Sequence, residues 1–157
     1  SLTEILAEEQ DQLAIEEKPF TAEEGKQVYR FHASRGKRAF LIQVQGKNTL
    51  GDMDTVMKEA FELDAWDHLS EFTIVTPRGK GKRPRTRPLG ELDPMGEYAA
   101  HQVRLAGLEL SVGVQLEYVY DFGDNIEHRL VLEVIEAPEK GGKYPRYRPV
   151  TGKRRKA

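Results

Sequence analysis

The nine residues YDFGDNIEH, numbered 120 to 128, place three acids and a histidine around one glycine. Carboxylates beside a histidine can hold a divalent cation and activate water. The same residue types suit a hairpin turn, because Asp side chains accept backbone N–H bonds in tight loops. The segment is therefore consistent with a metal-dependent hydrolase or nuclease and also with a structural turn.

A second chemically suggestive stretch is TPRGKGKRPRTRPLG, residues 76–90, in which six basic residues fall within ten positions. They are Arg78, Lys80, Lys82, Arg83, Arg85 and Arg87. The intervening Gly and Pro predict an exposed, mobile loop that cannot form a core element. Such a loop suits a phosphate backbone, as does the basic end KYPRYRPVTGKRRK, although a charged loop is often only a solvated surface.

The register of the hairpin tests the metal hypothesis. A three-residue loop, Gly123 to Asn125, pairs Phe122 with Ile126 and Tyr120 with His128, and a five-residue loop keeps the same parity. Either loop gives one apolar face, whose members are Leu116, Tyr118, Tyr120, Phe122, Ile126, His128, Leu130, Leu132 and Val134. His128 then points inward as a core histidine, on the face opposite Asp121 and Glu127.

Residue patterns elsewhere predict the elements that position these segments. Alternation over 28–44 predicts a β-hairpin, and Met53, Val56, Met57, Ala60 and Phe61 form the apolar stripe of a helix at about 49–62. Residues 68–75 predict a strand, followed by a helical turn near 98–101, an extended piece, and a hairpin at about 116–135. The fold class is α+β, a mainly antiparallel sheet with one principal packed helix.

Composition predicts one domain with acidic and basic ends. The chain has 157 residues and no cysteine, and no apolar run approaches the length of a membrane span, so we expect a soluble cytoplasmic protein. Residues 1–24 hold eight acids and one base, a net charge of −7, and predict an acidic arm or short amphipathic helix. The domain is expected at 25–148 and a basic tail at 149–157, and Ser1 indicates a fragment of a longer chain.

The motif YVYDFGDNIEH resembles the Tyr-x-Tyr-Asp-Phe-Gly-Asp-x-Trp-x-His signature of the plasmid pRiA4b ORF-3-like family, with Ile126 where that family commonly has Trp. TLGDMDTVMKEAFELDAWDHLSEFTI is similar to a second block of the family, and the resemblance as a whole covers about residues 27–148. The resemblance implies an α+β fold. It implies no established enzyme activity, and some members of the family are carried as passengers of transposons. The matching residues are His68, Tyr120, Asp121, Phe122, Gly123, Asp124 and His128, which we expect to be structural.

These observations favour a non-enzymatic binding domain that meets nucleic acid through its basic loop and tail. The first alternative is a metal-dependent hydrolase or nuclease, whose candidate ligands are His68, Glu71, Asp121, Asp124, Glu127 and His128. The second is a protein-interaction module in which the acidic N-terminal segment docks on a partner. We expect no cofactor, no metal and no catalytic residue, and a nucleic acid or a protein as partner. The sequence does not define the oligomeric state.

Overall fold

The structure, a computed structural model, describes residues 15–150, where one antiparallel sheet and one long helix form the framework. The helices are α1 (Ala22–Lys26) and α2 (Leu50–Phe61), with 3₁₀ turns at Ala99–Gln102 and Leu105–Leu108. The strands are β1 (Val28–Arg35), β2 (Arg38–Gln45), β3 (Ser70–Thr76), β4 (Arg85–Leu92), β5 (Gln115–Tyr120), β6 (Ile126–Glu136) and β7 (Arg146–Pro149). The α+β prediction is confirmed.

The sheet has seven strands in the order β4-β3-β5-β6-β1-β2-β7, and every neighbouring pair is antiparallel. Consecutive hairpins account for β1–β2, β3–β4 and β5–β6, as short connections favour. The β1–β6 pair joins the two ends of the domain, with Phe31 opposite Leu132. The free edges are therefore β4 on one side and β7 on the other.

The principal helix α2 packs on one face of this sheet. Thr49 caps it, since its hydroxyl accepts from the Asp52 N–H while the Asp52 carboxylate accepts from the Thr49 N–H. The predicted apolar stripe is buried, with Met53 and Met57 fully so, and it meets sheet residues such as Phe72. Burial of each of these side chains contributes about 1.5–3 kcal/mol to the stability of the fold. The opposite sheet face carries half-buried residues such as Arg30 and Gln43.

Three elements differ from the sequence expectations. The segment after Ala99–Gln102 forms a second 3₁₀ turn, where an extended piece was expected. Strand β4 begins at Arg85, inside the expected loop. Strand β7 lies in the basic C-terminal segment, where no strand was predicted, and pairs with β2, for example Ile42 with Tyr147. In β4 and β7, pairing with a neighbouring strand gives the backbone N–H and C=O groups their hydrogen-bond partners. This pairing favours the two strands although their side chains are mostly polar.

The N-terminal part of the described chain lies against the body of the domain. Ile15 packs on the core, and the Lys18 N–H donates to the Gly107 carbonyl at 2.9 Å. A carboxylate oxygen of Glu17 accepts from the Arg104 N–H at 2.6 Å. The helix expected within residues 1–20 falls mostly outside the described residues. Among residues 15–150, no helix combines the length and apolar character needed to cross a membrane.

Candidate functional site

The six basic residues of the segment 78–87 all lie on the β3–β4 hairpin and its connection. Each is exposed, and none forms an ion pair with an acid within residues 15–150. The Arg78 side chain donates to the Arg83 carbonyl at 2.8 Å, which ties the start of the connection to its end. The hairpin therefore presents an unneutralised cationic surface. We call these six side chains the basic hairpin.

Strand pairing sets the direction of the arginines in β4. Arg85 lies opposite Thr76 and Arg87 opposite Ile74, so the two arginines project from the same face. Pro88 follows on the free edge, a position where a proline costs no sheet hydrogen bond. The expected mobile loop is thus confined to the connection before Arg85, and two of its six cations stand on a strand.

The basic C-terminal segment lies at the other edge of the sheet. Seven strands span six spacings, or about 29 Å at roughly 4.8 Å each. Arg146 is largely occupied there, since it donates to the Gln43 side chain at 2.8 Å, pairs with Glu139 at 3.0 Å and stacks on Tyr144. The basic hairpin and β7 therefore form two separate surfaces.

The family motif forms the end of the β5–β6 hairpin, and the structure brings three of its residues together. His68 Nδ1 lies 3.5 Å from Asp121 Oδ2, and the His68 ring meets the Tyr120 ring edge-on at 5.4 Å. Asp121 has a left-handed backbone with φ of 61°, and its Oδ1 accepts from the Gly123 N–H at 3.1 Å. Asp121 thus acts as a turn residue whose second carboxylate oxygen lies beside the His68 ring.

The register of this hairpin corrects the preferred three-residue loop. Tyr120 pairs with Ile126 and Tyr118 with His128, so the loop has five residues and Phe122 leaves the strand. The left-handed conformations of Asp121 and Asn125 close this longer loop. The parity is unchanged, and burial of Tyr118, Tyr120 and His128 confirms the predicted apolar face as far as Leu132. The prediction is wrong for Val134, because a β-bulge in β6 places it opposite Arg30 and turns Ile135 towards the core instead.

His128 lies in the core, apart from the exposed Asp124. Its Nδ1 lies 3.1 Å from the Tyr118 carbonyl, and its ring meets the Phe61 ring edge-on at 4.7 Å. Burial lowers the pKa of His128, and the charges of Arg35 and Arg38 act in the same direction. The described residues contain no group of three His, Asp or Glu side chains placed to hold a metal. The convergence that the hydrolase hypothesis needs is therefore missing from this part of the chain.

A buried polar cluster on the inner face of α2 escaped the sequence analysis. Asp54 Oδ1 accepts from the Ser70 hydroxyl at 2.6 Å and from the Tyr118 hydroxyl at 2.5 Å, and Asp54 Oδ2 lies 2.9 Å from Lys58 Nζ. Burial raises the pKa of the Tyr118 hydroxyl well above its ordinary value, and the Asp54 charge adds to this. The four-residue spacing of Asp54 and Lys58 was the one signal available in the sequence.

A cavity of about 500 Å³ adjoins this cluster, between α2 and residues 93–102. We call it the α2 cavity. The Asp93–His101 pair lies on its far wall, with Asp93 Oδ1 3.1 Å from His101 Nε2. Burial alone would raise the pKa of Asp93, but hydrogen bonds from the backbone N–H groups of Tyr98 and Glu97, together with the charge of His101, lower that pKa below its ordinary value.

The fold and its surfaces define an α+β domain with a single antiparallel sheet, one packed helix and a cationic hairpin at a free edge. The family model described as "Plasmid pRiA4b ORF-3-like protein" matches residues 38–157, which is most of the chain. The chain belongs to this family, and the resemblance read from its two motifs is confirmed.

One solved structure extends the comparison at the level of the fold. It is the crystal structure of a protein of unknown function, MM3350, from Methanosarcina mazei Go1. The TM-score is 0.58 at 23% sequence identity, over 78% of this chain and 68% of that one. None of the curated proteins matches this chain. The comparisons therefore establish the family and the fold and give no reaction or ligand.

Proposed function

We propose that the protein binds nucleic acid through the basic hairpin, in line with the binding-domain hypothesis drawn from its sequence. The observation that carries the proposal is the set of six exposed cations without an acidic partner among the described residues. Cations that have no acidic partner within the protein can neutralise phosphates, and phosphate contacts of this kind supply most of the affinity in non-specific nucleic-acid binding.

The shape of the hairpin also suits this ligand. The Thr76–Arg85 pair and the connection at 77–84 lie beyond the part of β3 that pairs with β5, so the tip of the hairpin is the part that can approach nucleic acid. Gly79 and Gly81 in its connection have positive φ and no neighbouring atom within 4 Å of an added Cβ, so the backbone there is open to close approach. Because the surface consists mainly of cations, we expect little sequence preference.

The test is a salt titration of fluorescence anisotropy with labelled duplex DNA, single-stranded DNA and RNA. Each neutralised phosphate contributes about −0.9 to the slope of log affinity against log salt on duplex DNA. Changing Arg83, Arg85 and Arg87 together to Ala should flatten that slope by up to about 2.7 if all three meet phosphates. The melting temperature should stay nearly unchanged, because exposed charges contribute little to folding.

The matched control removes three exposed cations at the opposite edge, Lys140, Lys143 and Arg148. Their replacement by Ala gives the same net charge as the hairpin variant, so a non-specific charge effect lowers both affinities equally. The proposal expects the hairpin variant to lose clearly more. Equal losses would show that binding does not depend on the basic hairpin in particular. Absence of binding at low salt would leave the protein-partner hypothesis as the leading one.

A further inference from the structure

The α2 cavity has the dimensions of a small-molecule site. Its volume of about 500 Å³ lies in the range of roughly 300–1,000 Å³ that is usual for ligand pockets. The α2 side contributes Thr55 and Lys58, and the connection after α2 and the segment 93–102 contribute the apolar side chains of Leu63, Pro94 and Met95. The cavity thus has a polar floor and an apolar side.

Three of the four acids around the cavity are satisfied by protein groups. Asp54 accepts from Ser70 and Tyr118 and pairs with Lys58, as described above. Asp52 accepts from the Thr49 N–H and from the Asn48 amide. Asp93 is similarly held by backbone N–H groups and His101. Glu59 is exposed to solvent, which screens its charge.

The ammonium group of Lys58 retains unused donors. It has three N–H groups, and Asp54 is its one ion-pair partner among the described residues. The Lys58 side chain is only 7% exposed, so bulk water reaches it poorly. A buried cation with spare donors favours an acceptor that carries negative charge. Lys58 therefore marks the end of the cavity where an anionic group belongs.

Exposed apolar residues occur on the segments beside the cavity. Met95, which lines it, is 73% exposed, and Trp66, which follows the lining residue Ala65, is 75% exposed. Tyr98 is also among the exposed large side chains. Apolar side chains beside a concave site supply contact area for the apolar part of a ligand.

We propose that the α2 cavity binds a small molecule with a carboxylate and an apolar body. The carboxylate contacts the Lys58 ammonium, and the body lies against Leu63, Pro94 and Met95. This site is separate from the basic hairpin and does not depend on nucleic-acid binding.

The methionines provide a direct measurement. The chain has three methionines, of which Met95 lines the cavity while Met53 and Met57 are fully buried in the core. In protein labelled with ¹³C at the methionine methyls, 3-phenylpropionate should shift the Met95 signal saturably and leave the other two in place. The neutral 3-phenylpropan-1-ol and the cationic 3-phenylpropylamine should bind more weakly. A non-saturable Met95 response, equal affinity for all three probes, or tighter binding of the amine would overturn the proposal.

Variants locate the carboxylate contact. Lys58→Met should raise the dissociation constant of 3-phenylpropionate by roughly tenfold or more and leave that of the alcohol nearly unchanged. Lys26→Met, which removes an exposed lysine outside the cavity, should have no effect. An unchanged affinity in a folded Lys58→Met protein would contradict the proposal.

A second variant covers the case in which Lys58→Met fails to fold because Asp54 is left buried and unpaired. Thr55 lies at an exposed helix position that lines the cavity, so Thr55→Phe fills space without removing a core contact. It should abolish the saturable Met95 shift for all three probes. Retention of the shift would place the binding elsewhere.

Discussion

At the scale of single residues, His128 shows how a side chain with catalytic potential becomes part of the core. It is 1% exposed, and its Nε2 is a buried nitrogen without a hydrogen-bond partner among the described residues. An unpaired buried nitrogen costs free energy, which the contacts with Phe61 and Tyr118 offset. The imidazole ring of His128 is therefore held by packing and by the hydrogen bond between its Nδ1 and the Tyr118 carbonyl.

His128→Ala should lower the free energy of unfolding by about 1–3 kcal/mol, through a lost hydrogen bond and a small cavity. Thermal and urea melts measure the change. His32→Ala is the matched control, since His32 is a half-buried histidine on the other face of the neighbouring strand β1 and should cost less. If the His128 variant melts like its parent and loses a metal-dependent activity, the hydrolase hypothesis replaces the structural one.

The same residue should make the fold sensitive to weak acid. Because burial lowers the pKa of His128 below its ordinary 6.5, the unfolded chain binds more protons than the native one between the two values. The free energy of unfolding should therefore decrease as the pH drops below about 6.5, and this decrease should end at the lower pKa that His128 has in the folded protein. Urea midpoints at pH 7.5, 6.5 and 5.5 measure this, and His128→Gln should reduce the decline. Parallel declines in parent, His128→Gln and His32→Gln would assign it to other groups.

At the scale of elements, local sequence signals predicted the helix α2 and the β5–β6 hairpin. Strand β7 and the buried Asp54 cluster instead depend on contacts between distant parts of the chain. The apolar stripe of α2 and its Thr49 cap are contained within fourteen residues, and hairpin parity follows from alternation alone. Strand β7 depends on an edge of β2 more than a hundred residues away. In the buried cluster around Asp54, Ser70 lies 16 positions and Tyr118 64 positions away from Asp54 along the chain. No local sequence pattern therefore reveals this cluster.

The capping box of α2 can be tested by one substitution. Thr49→Ala removes the acceptor for the Asp52 N–H and should lower the free energy of unfolding by about 0.5–2 kcal/mol. Thr55→Ala is the control, because Thr55 lies on the exposed side of the same helix, where its hydroxyl donates to the Gly51 carbonyl. Its effect should remain within about 0.5 kcal/mol. Urea denaturation compares the two, and equal losses would show that the cap contributes nothing particular.

At the scale of the whole molecule, the charge distribution separates the two proposed sites. The basic hairpin lies at the β4 edge, while the α2 cavity lies beside the helix and contains the Asp54–Lys58 and Asp93–His101 pairs. The net charge of the chain is only −2, so attraction to nucleic acid has to come from the local surface. Loss of one site should therefore leave the other intact.

The acids at the N-terminus of the chain contribute to its net charge. Residues 1–14 contain four acids and no base, so their deletion changes the net charge from −2 to +2. Weaker repulsion of phosphates should tighten nucleic-acid binding at low salt, and the gain should fade above about 0.15 M salt, where the screening length is about 8 Å. Anisotropy titrations at several salt concentrations compare the deleted and full chains. Changing the four acids to Gln and Asn should reproduce the gain, which shows that charge is responsible. Weaker binding by the deleted chain would instead make residues 1–14 part of the binding surface.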